Sequence, residues 1–229
     1  MVTTEFEADS HAGTRVARAG QIVEAVRQLF EAGVMAHSGH ANLSARLDED
    51  RFLLTPGFVR GLRPEQVAVV DREGQVLEGK LQTSAAEIVA MHGIVYRERP
   101  PVGAVIHTHS PAATAFAAAH RPLPCRTEPM LRFGQAEPVP VVPWAPRGSD
   151  AAISGITEAL HSHPTTSAVL LANHGLLVFG PDPAAAALLV MAIEESAEAE
   201  IAAAALGGAV DFPDGALDAV RASIVRAAR

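Results

Sequence analysis

A chain of 229 residues is long enough to bury a substantial core in one large α/β domain. The formal net charge of −8, the pI near 5.7 and the lack of any Lys/Arg block argue against nucleic acid or an anionic membrane as partner and favour a small solute. Cys125 is the sole cysteine, so no intrachain disulfide can form. The opening MVTTEFEADSHAG lacks the basic start and apolar core of a signal peptide, so a cytoplasmic location is expected.

Residues 1–13 are polar and read as a flexible N-terminus, and 14–229 as a single domain without internal repeat or linker. Ile22, Val26, Leu29 and Phe30 recur at helical spacing until Gly33 offers a stop. ANLSARL, RFLLTP and VAVVD are short strand-like runs, and DREGQV suits a hairpin connection, so a meander is expected. Ser84 opens a second helix through Tyr96. VGAVIHTH, residues 102–109, reads as a buried strand, after which Ser110 and Pro111 supply an N-cap and an N1 proline for a third helix. EPVPVVPWAPRGS is too rich in proline for a central strand and reads as an edge strand and loop. A helix over 150–160, strands SAVLLAN and GLLVFG, a long helix from Pro183 and an amphipathic tail helix, GALDAVRASIVRAAR, complete the chain. Glu194, Glu195, Glu198 and Glu200 rule out the long apolar helix as a membrane span.

The chemistry concentrates in three places. On a strand, side chains at i and i+2 share a face roughly 6 to 7 Å apart, so His107 and His109 can reach one ion. A catalytic zinc usually takes three protein ligands and keeps a position open. His174, in LLANHGLLVFG, is the candidate for the third, since it sits between two apolar runs beside a glycine. Each residue also has a plain structural reading: Asn-His-Gly is good turn chemistry, and Ser84-Ala85-Ala86-Glu87 fits a capping box. His161 and His163 suit a helix end, His92 lies about 140° around the helix from Glu87 and is at best a supporting residue, and Arg147 could be an ordinary loop arginine.

Taken in order, these features resemble the class II aldolase/adducin family over about residues 15–205. They are an Asn-X-Ser-X-Arg turn (Asn42, Ser44, Arg46), a Thr-Pro loop (Thr55, Pro56), Glu87 before a Met-His pair, His-Thr-His-Ser at 107–110, and Asn-His-Gly at 173–175. The resemblance implies a mostly antiparallel central sheet flanked by helices in a three-layer α/β fold, and a homotetramer with sites near subunit interfaces. It implies one divalent metal per subunit on His107, His109 and His174, with zinc expected and Mn, Fe, Co or Mg as alternatives, and Glu87 as the acid/base.

The departures from the family pattern bear on substrate. Where sugar-phosphate members hold phosphate with Gly-Asn, small hydroxyls and paired serines, this chain has Ala41-Asn42, Gly57-Phe58 and Ala85-Ala86. Glu128 falls near the place of the tyrosine proton donor, and Arg147 stands where a smaller residue is common. An arginine fork suits a carboxylate and an apolar floor of Phe58, Ala85 and Ala86 suits an aromatic ring. The expected activity is therefore metal-dependent decarboxylation of a non-phosphorylated, catechol-type aromatic acid, with Asn42, Ser44, Gly57, Phe58, Ala85, Ala86, Glu128 and Arg147 as substrate-binding residues. The alternatives are an aldolase or epimerase on a small hydroxy-carbonyl compound or sugar phosphate, an iron-dependent oxygenase on the same frame, and a non-catalytic adducin-like domain.

Overall fold

The computed structural model describes residues 3–57, 59–82 and 85–227, so Phe58 and Ser84 lie outside the described residues. One eight-stranded sheet runs in the order β4-β3-β2-β1-β5-β8-β7-β6. Its strands are β1 (Ala41–Arg46), β2 (Arg51–Leu54), β3 (Ala68–Asp71), β4 (Val76–Glu78), β5 (Ala104–Thr108), β6 (Val141–Val142), β7 (Ala168–Leu171) and β8 (Gly175–Gly180). Every neighbouring pair is antiparallel except β6 with β7. The expected meander, hairpin and proline-rich edge strand are all present.

Alternation along the strands divides the core in two. Leu43, Ala45, Ala104, Ile106, Leu176 and Val178 face helices α1 (Thr3–Glu31), α3 (Pro111–Ala118) and α6 (Pro183–Ala204). Val105, Leu177 and Phe179 face the opposite way, toward α2 (Ala86–Glu98) and α5 (Asp150–Ser162). Burying each such Leu, Ile or Phe removes it from water for about 1.5–3 kcal/mol. The same alternation places Asn42 and Ser44 of β1 and His107 of β5 on the α2/α5 face. Asn42 stands directly opposite His107 in the register.

One expectation is corrected at a helix start. The first helix, α1, runs from Thr3 and so includes most of the segment 1–13. At the second helix the N-cap is Ala85, with no side-chain capping bond, so a capping box is not what places Glu87. Two further helices follow the chain elsewhere, the short α4 (Glu128–Arg132) and the tail helix α7 (Ala216–Ala227). Among the described residues, no helix is long and apolar enough to cross a membrane.

The third helix starts at Pro111 behind Ser110, as the sequence suggests, but the Ser110 hydroxyl is bonded to Thr108 Oγ1 at 2.8 Å. The orphan amides are satisfied from α6 instead: the backbone N–H groups of Ala112 and Ala113 donate to Glu194 Oε1 and Oε2 at 2.7 and 2.8 Å. Burial pushes the Glu194 carboxyl up, and the two amides partly offset it. Glu194→Ala leaves both amides without an acceptor, at a cost of about 3 kcal/mol. Calorimetry should show Tm falling by roughly 6–12 °C, with Glu194→Gln in between because it keeps one acceptor oxygen. An unchanged Tm in the alanine variant would mean the cap contributes nothing.

Candidate metal centre

His107 lies at the middle of the sheet, in the strand that joins its two halves. Its Nδ1–H donates to the Leu176 carbonyl at 2.9 Å, which fixes the tautomer and turns the Nε2 lone pair away from the sheet. Two residues on, beyond the strand end, His109 brings its Nε2 to 3.1 Å from that of His107. The β7–β8 turn delivers His174 to the same point. The three rings stand edge to face with centroids 4.6 to 5.0 Å apart, and one ligand atom from each lies within 4.8 Å of the others.

Local sequence makes this approach possible. Asn173 takes the left-handed conformation that the tight turn needs, at φ 55°, and its Oδ1 is 2.6 Å from His120 Nε2. Gly175 must be glycine: a Cβ there would lie 2.5 Å from the Thr108 carbonyl oxygen and 2.8 Å from His109 Cδ2. The turn chemistry that gave His174 a plain structural reading is thus the means by which it reaches the pair on β5.

Burial holds all three imidazoles below their ordinary pKa, His107 well below and His174 at about 4, with their mutual repulsion adding to the effect at His107 and His174. His40 and Arg147 push His109 and His174 further in the same direction. The rings are therefore neutral donors at pH 7. The donor set fits a small divalent ion: two nitrogens about 2.0–2.1 Å from a tetrahedral zinc lie about 3.3 Å apart, close to the spacing of His107 and His109.

A cavity of about 170 Å3 opens beside the triad, lined on its polar side by Asn42, Glu87, Arg147, Asn173, His107 and His174. Glu87 is the second residue of α2 and forms an ion pair with Arg147 from the loop before α5. Gly148 lets that loop close in; at φ 72°, a Cβ there would sit 3.1 Å from the Cβ of Glu87. The remaining wall is apolar: Ile88 and Met91 from one face of α2, Ile153 and Ile156 from α5, with Val142, Trp144 and Leu171.

Of the residues singled out from sequence, Asn42, Glu87, Arg147, His107, His109 and His174 come together here. Ala85 is instead packed in the core and Ala86 is exposed. The apolar surface comes from the next turn of α2 and from α5, because the helix turns Glu87, Ile88 and Met91 inward together. Gly57 packs against Gln82, and neither it nor Ser44 lines the cavity. Glu128 is exposed and paired with Arg132 on α4, so within one protomer it is not brought to the site. Arg147 is about half exposed and is paired with Glu87. Sequence reasoning passed over His40, whose ring stacks on His109 with centroids 5.3 Å apart and planes 22° from parallel. Its position two residues before Asn42, on the chain leading into the strand that pairs with β5, was the available signal.

Residues 20–201 match the class II aldolase and adducin N-terminal domain, and the chain belongs to that family. It is 33% identical over 189 residues to a 5-methylthioribulose-1-phosphate/5-deoxyribulose-1-phosphate aldolase of Rhodospirillum rubrum, covering 81% of each chain. It is 34% identical over 194 residues to a 3-oxo-tetronate 4-phosphate decarboxylase of Haemophilus influenzae, covering 81% of this chain and 87% of that one. The fold superposes on an L-fuculose 1-phosphate aldolase with a TM-score of 0.77 at 26% identity, over 89% of this chain and 94% of the other. The protein is thus an enzyme of the lyase class, built on the class II aldolase fold.

Proposed function

We propose that the protein decarboxylates a non-phosphorylated, hydroxylated aromatic acid of the catechol type, using one divalent ion held by His107, His109 and His174. The observation that carries this reading is the cavity wall: beside the histidines stand one carboxylate, one guanidinium and two amides, and the rest of the lining is Ile, Met, Val, Leu, Trp and other apolar groups. Such a wall suits a flat ring better than a polyhydroxylated chain.

A divalent ion, zinc first and Mn, Fe, Co or Mg in its place, supplies Lewis acidity to substrate oxygens on which charge develops. The protein's own groups supply the rest. Arg147 receives the substrate carboxylate and exchanges its present partner, Glu87, for it. Glu87, released from the guanidinium, takes the proton of a substrate ring hydroxyl and then delivers it to the ring carbon, as that carbon's bond to the carboxyl carbon breaks, the electron pair stays on the ring and CO2 leaves. Ile88, Met91, Ile153 and Ile156 hold the ring and exclude water from the developing charge. We assign the working unit as a homotetramer with sites near its interfaces, consistent with Trp144 standing 62% exposed at the cavity wall. Light scattering should then give four times the 23.9 kDa chain mass.

A second reading, aldol cleavage or decarboxylation of a phosphorylated sugar derivative, is favoured by what the R. rubrum and H. influenzae relatives act on. The deciding experiment is a panel of catechol-type acids and sugar phosphates given to zinc-reconstituted protein, with CO2 and aldehyde scored together. CO2 from an aromatic acid supports the first reading; aldehyde or CO2 from a sugar phosphate replaces it with the second. Arg147→Ala should raise KM for the acid by about tenfold or more with a smaller effect on kcat, since a carboxylate contact is made in ground and transition states alike. An unchanged KM would remove Arg147 from substrate binding.

A further inference from the structure

His92, Ser44 and Tyr96 form a buried chain of hydrogen bonds that ends on Asn42, at the cavity. Tyr96 Oη lies 2.7 Å from Ser44 Oγ, Ser44 Oγ lies 2.6 Å from His92 Nδ1, and His92 Nε2 lies 2.6 Å from Asn42 Oδ1. All four residues are nearly or fully buried. The direction of the chain is decided at its far end. Among the described residues, the Tyr96 hydroxyl has Ser44 Oγ as its side-chain partner, and its backbone partner, Val105, acts on it as a donor, so the phenolic proton goes to Ser44. Ser44 then gives its own proton to His92 Nδ1, and His92 gives its Nε2–H to Asn42 Oδ1. Running the chain the other way would leave a buried phenolic O–H without an acceptor.

We infer that His92, Ser44 and Tyr96 are positioning residues that hold the Asn42 amide with its oxygen inward, so that Nδ2–H2 is presented to the cavity as a donor to an anionic substrate oxygen. Several observations agree. Asn42 lines the cavity and stands opposite His107 in the sheet register. Its Nδ2 has no hydrogen-bond partner among the described residues. Burial keeps His92 neutral by lowering its pKa to about 3, as a relay needing one donor and one acceptor nitrogen requires. An unanchored asparagine could turn its oxygen toward the substrate and repel the charge that this site must hold; the chain forbids that turn.

The inference rests on the reading that substrate occupies this cavity, so its test has two arms. In 15N-histidine-labelled wild-type protein at pH 7.5, with the His92 signals assigned by their loss in His92→Gln, long-range 1H–15N spectra report the tautomer. A protonated Nε2 with a bare Nδ1 is expected, and a protonated Nδ1 overturns the chain's direction whatever the substrate is. In the second arm, zinc-loaded His92→Gln and His92→Met are titrated with 2,3-dihydroxybenzoate and with inorganic phosphate, zinc content being measured in each. Gln keeps a donor for Asn42 Oδ1 and should bind within a few-fold of wild type. Met removes the donor and should weaken binding on the order of 100-fold with zinc unchanged. Equal loss in both variants, or loss only through missing zinc, overturns the positioning role. If wild type binds neither probe while the tautomer is as expected, the proposed substrate reading fails and the chain's direction stands.

Discussion

Glu87→Gln should bind zinc as tightly as the wild type and turn over substrate about 10^3-fold more slowly. The substitution keeps the shape of the side chain and removes its charge, its ion pair with Arg147 and its ability to carry a proton. Three neutral imidazoles already converge on one point, with Nε2 of His107 fixed by the bond from its other nitrogen to Leu176, so the donor set does not need the carboxylate. What Glu87 adds is a carboxylate in the cavity, paired with an arginine that a substrate carboxylate can claim. Metal analysis beside single-turnover CO2 release decides the matter. Turnover within tenfold of wild type would remove Glu87 from proton transfer. Zinc lost together with turnover would make it a metal ligand that substrate displaces.

The metal-free protein should lose stability steeply as pH falls below about 6.5. His92, at about 3, and His107, well below its ordinary value, are both fully buried, while in the unfolded chain each titrates near 6.5. Below that pH the unfolded state binds protons that the folded state refuses, so the unfolding free energy falls with pH until the folded pKa values are reached. Each such histidine contributes about 1.4 kcal/mol per pH unit in that window, or about 3 kcal/mol per unit for the two. His174 and His109, more open to water, act in the same direction more weakly. Glu194 opposes them over the lower part of the window, because its raised pKa lets the folded state take up a proton before the unfolded one does. Urea midpoints of the chelator-treated protein at pH 7 and pH 5 test this, and His92→Gln should flatten the slope by about half. A midpoint independent of pH would show that these rings ionise freely in the folded protein.

Much of the site was legible in the sequence because its signals are local. A two-residue spacing on an apolar run put His107 and His109 on one face, and Asn-His-Gly between two strand-like runs marked His174. The order of strands and helices followed from turn residues and periodicity. What could not be read depends on contacts between segments far apart in the chain. Ala85 and Ala86 adjoin Glu87 in sequence, yet the helix carries Ile88 and Met91 to the cavity and leaves Ala86 outside. The partners of Ser44 are 48 and 52 residues away, and the acceptor for Ala112 and Ala113 is more than 80 residues further on. Arg147 looked free for substrate because nothing near it in the chain announced Glu87.

The sheet order has a consequence for the growing polypeptide. β1 to β4 pair among themselves and lie on one side of β5, while β8, β7 and β6 lie on the other. A ribosome therefore delivers one half of the sheet and then β5, whose outer edge stays bare while about 65 further residues are made, until Gly175–Gly180 can dock on it. The nascent chain holds two of its three imidazoles throughout that interval and acquires the third only in the turn that opens β8. The segment that caps α3 through Glu194 emerges later still. Metal loading thus belongs to the end of synthesis, and an exposed central strand edge is the state that a chaperone would have to shield before it.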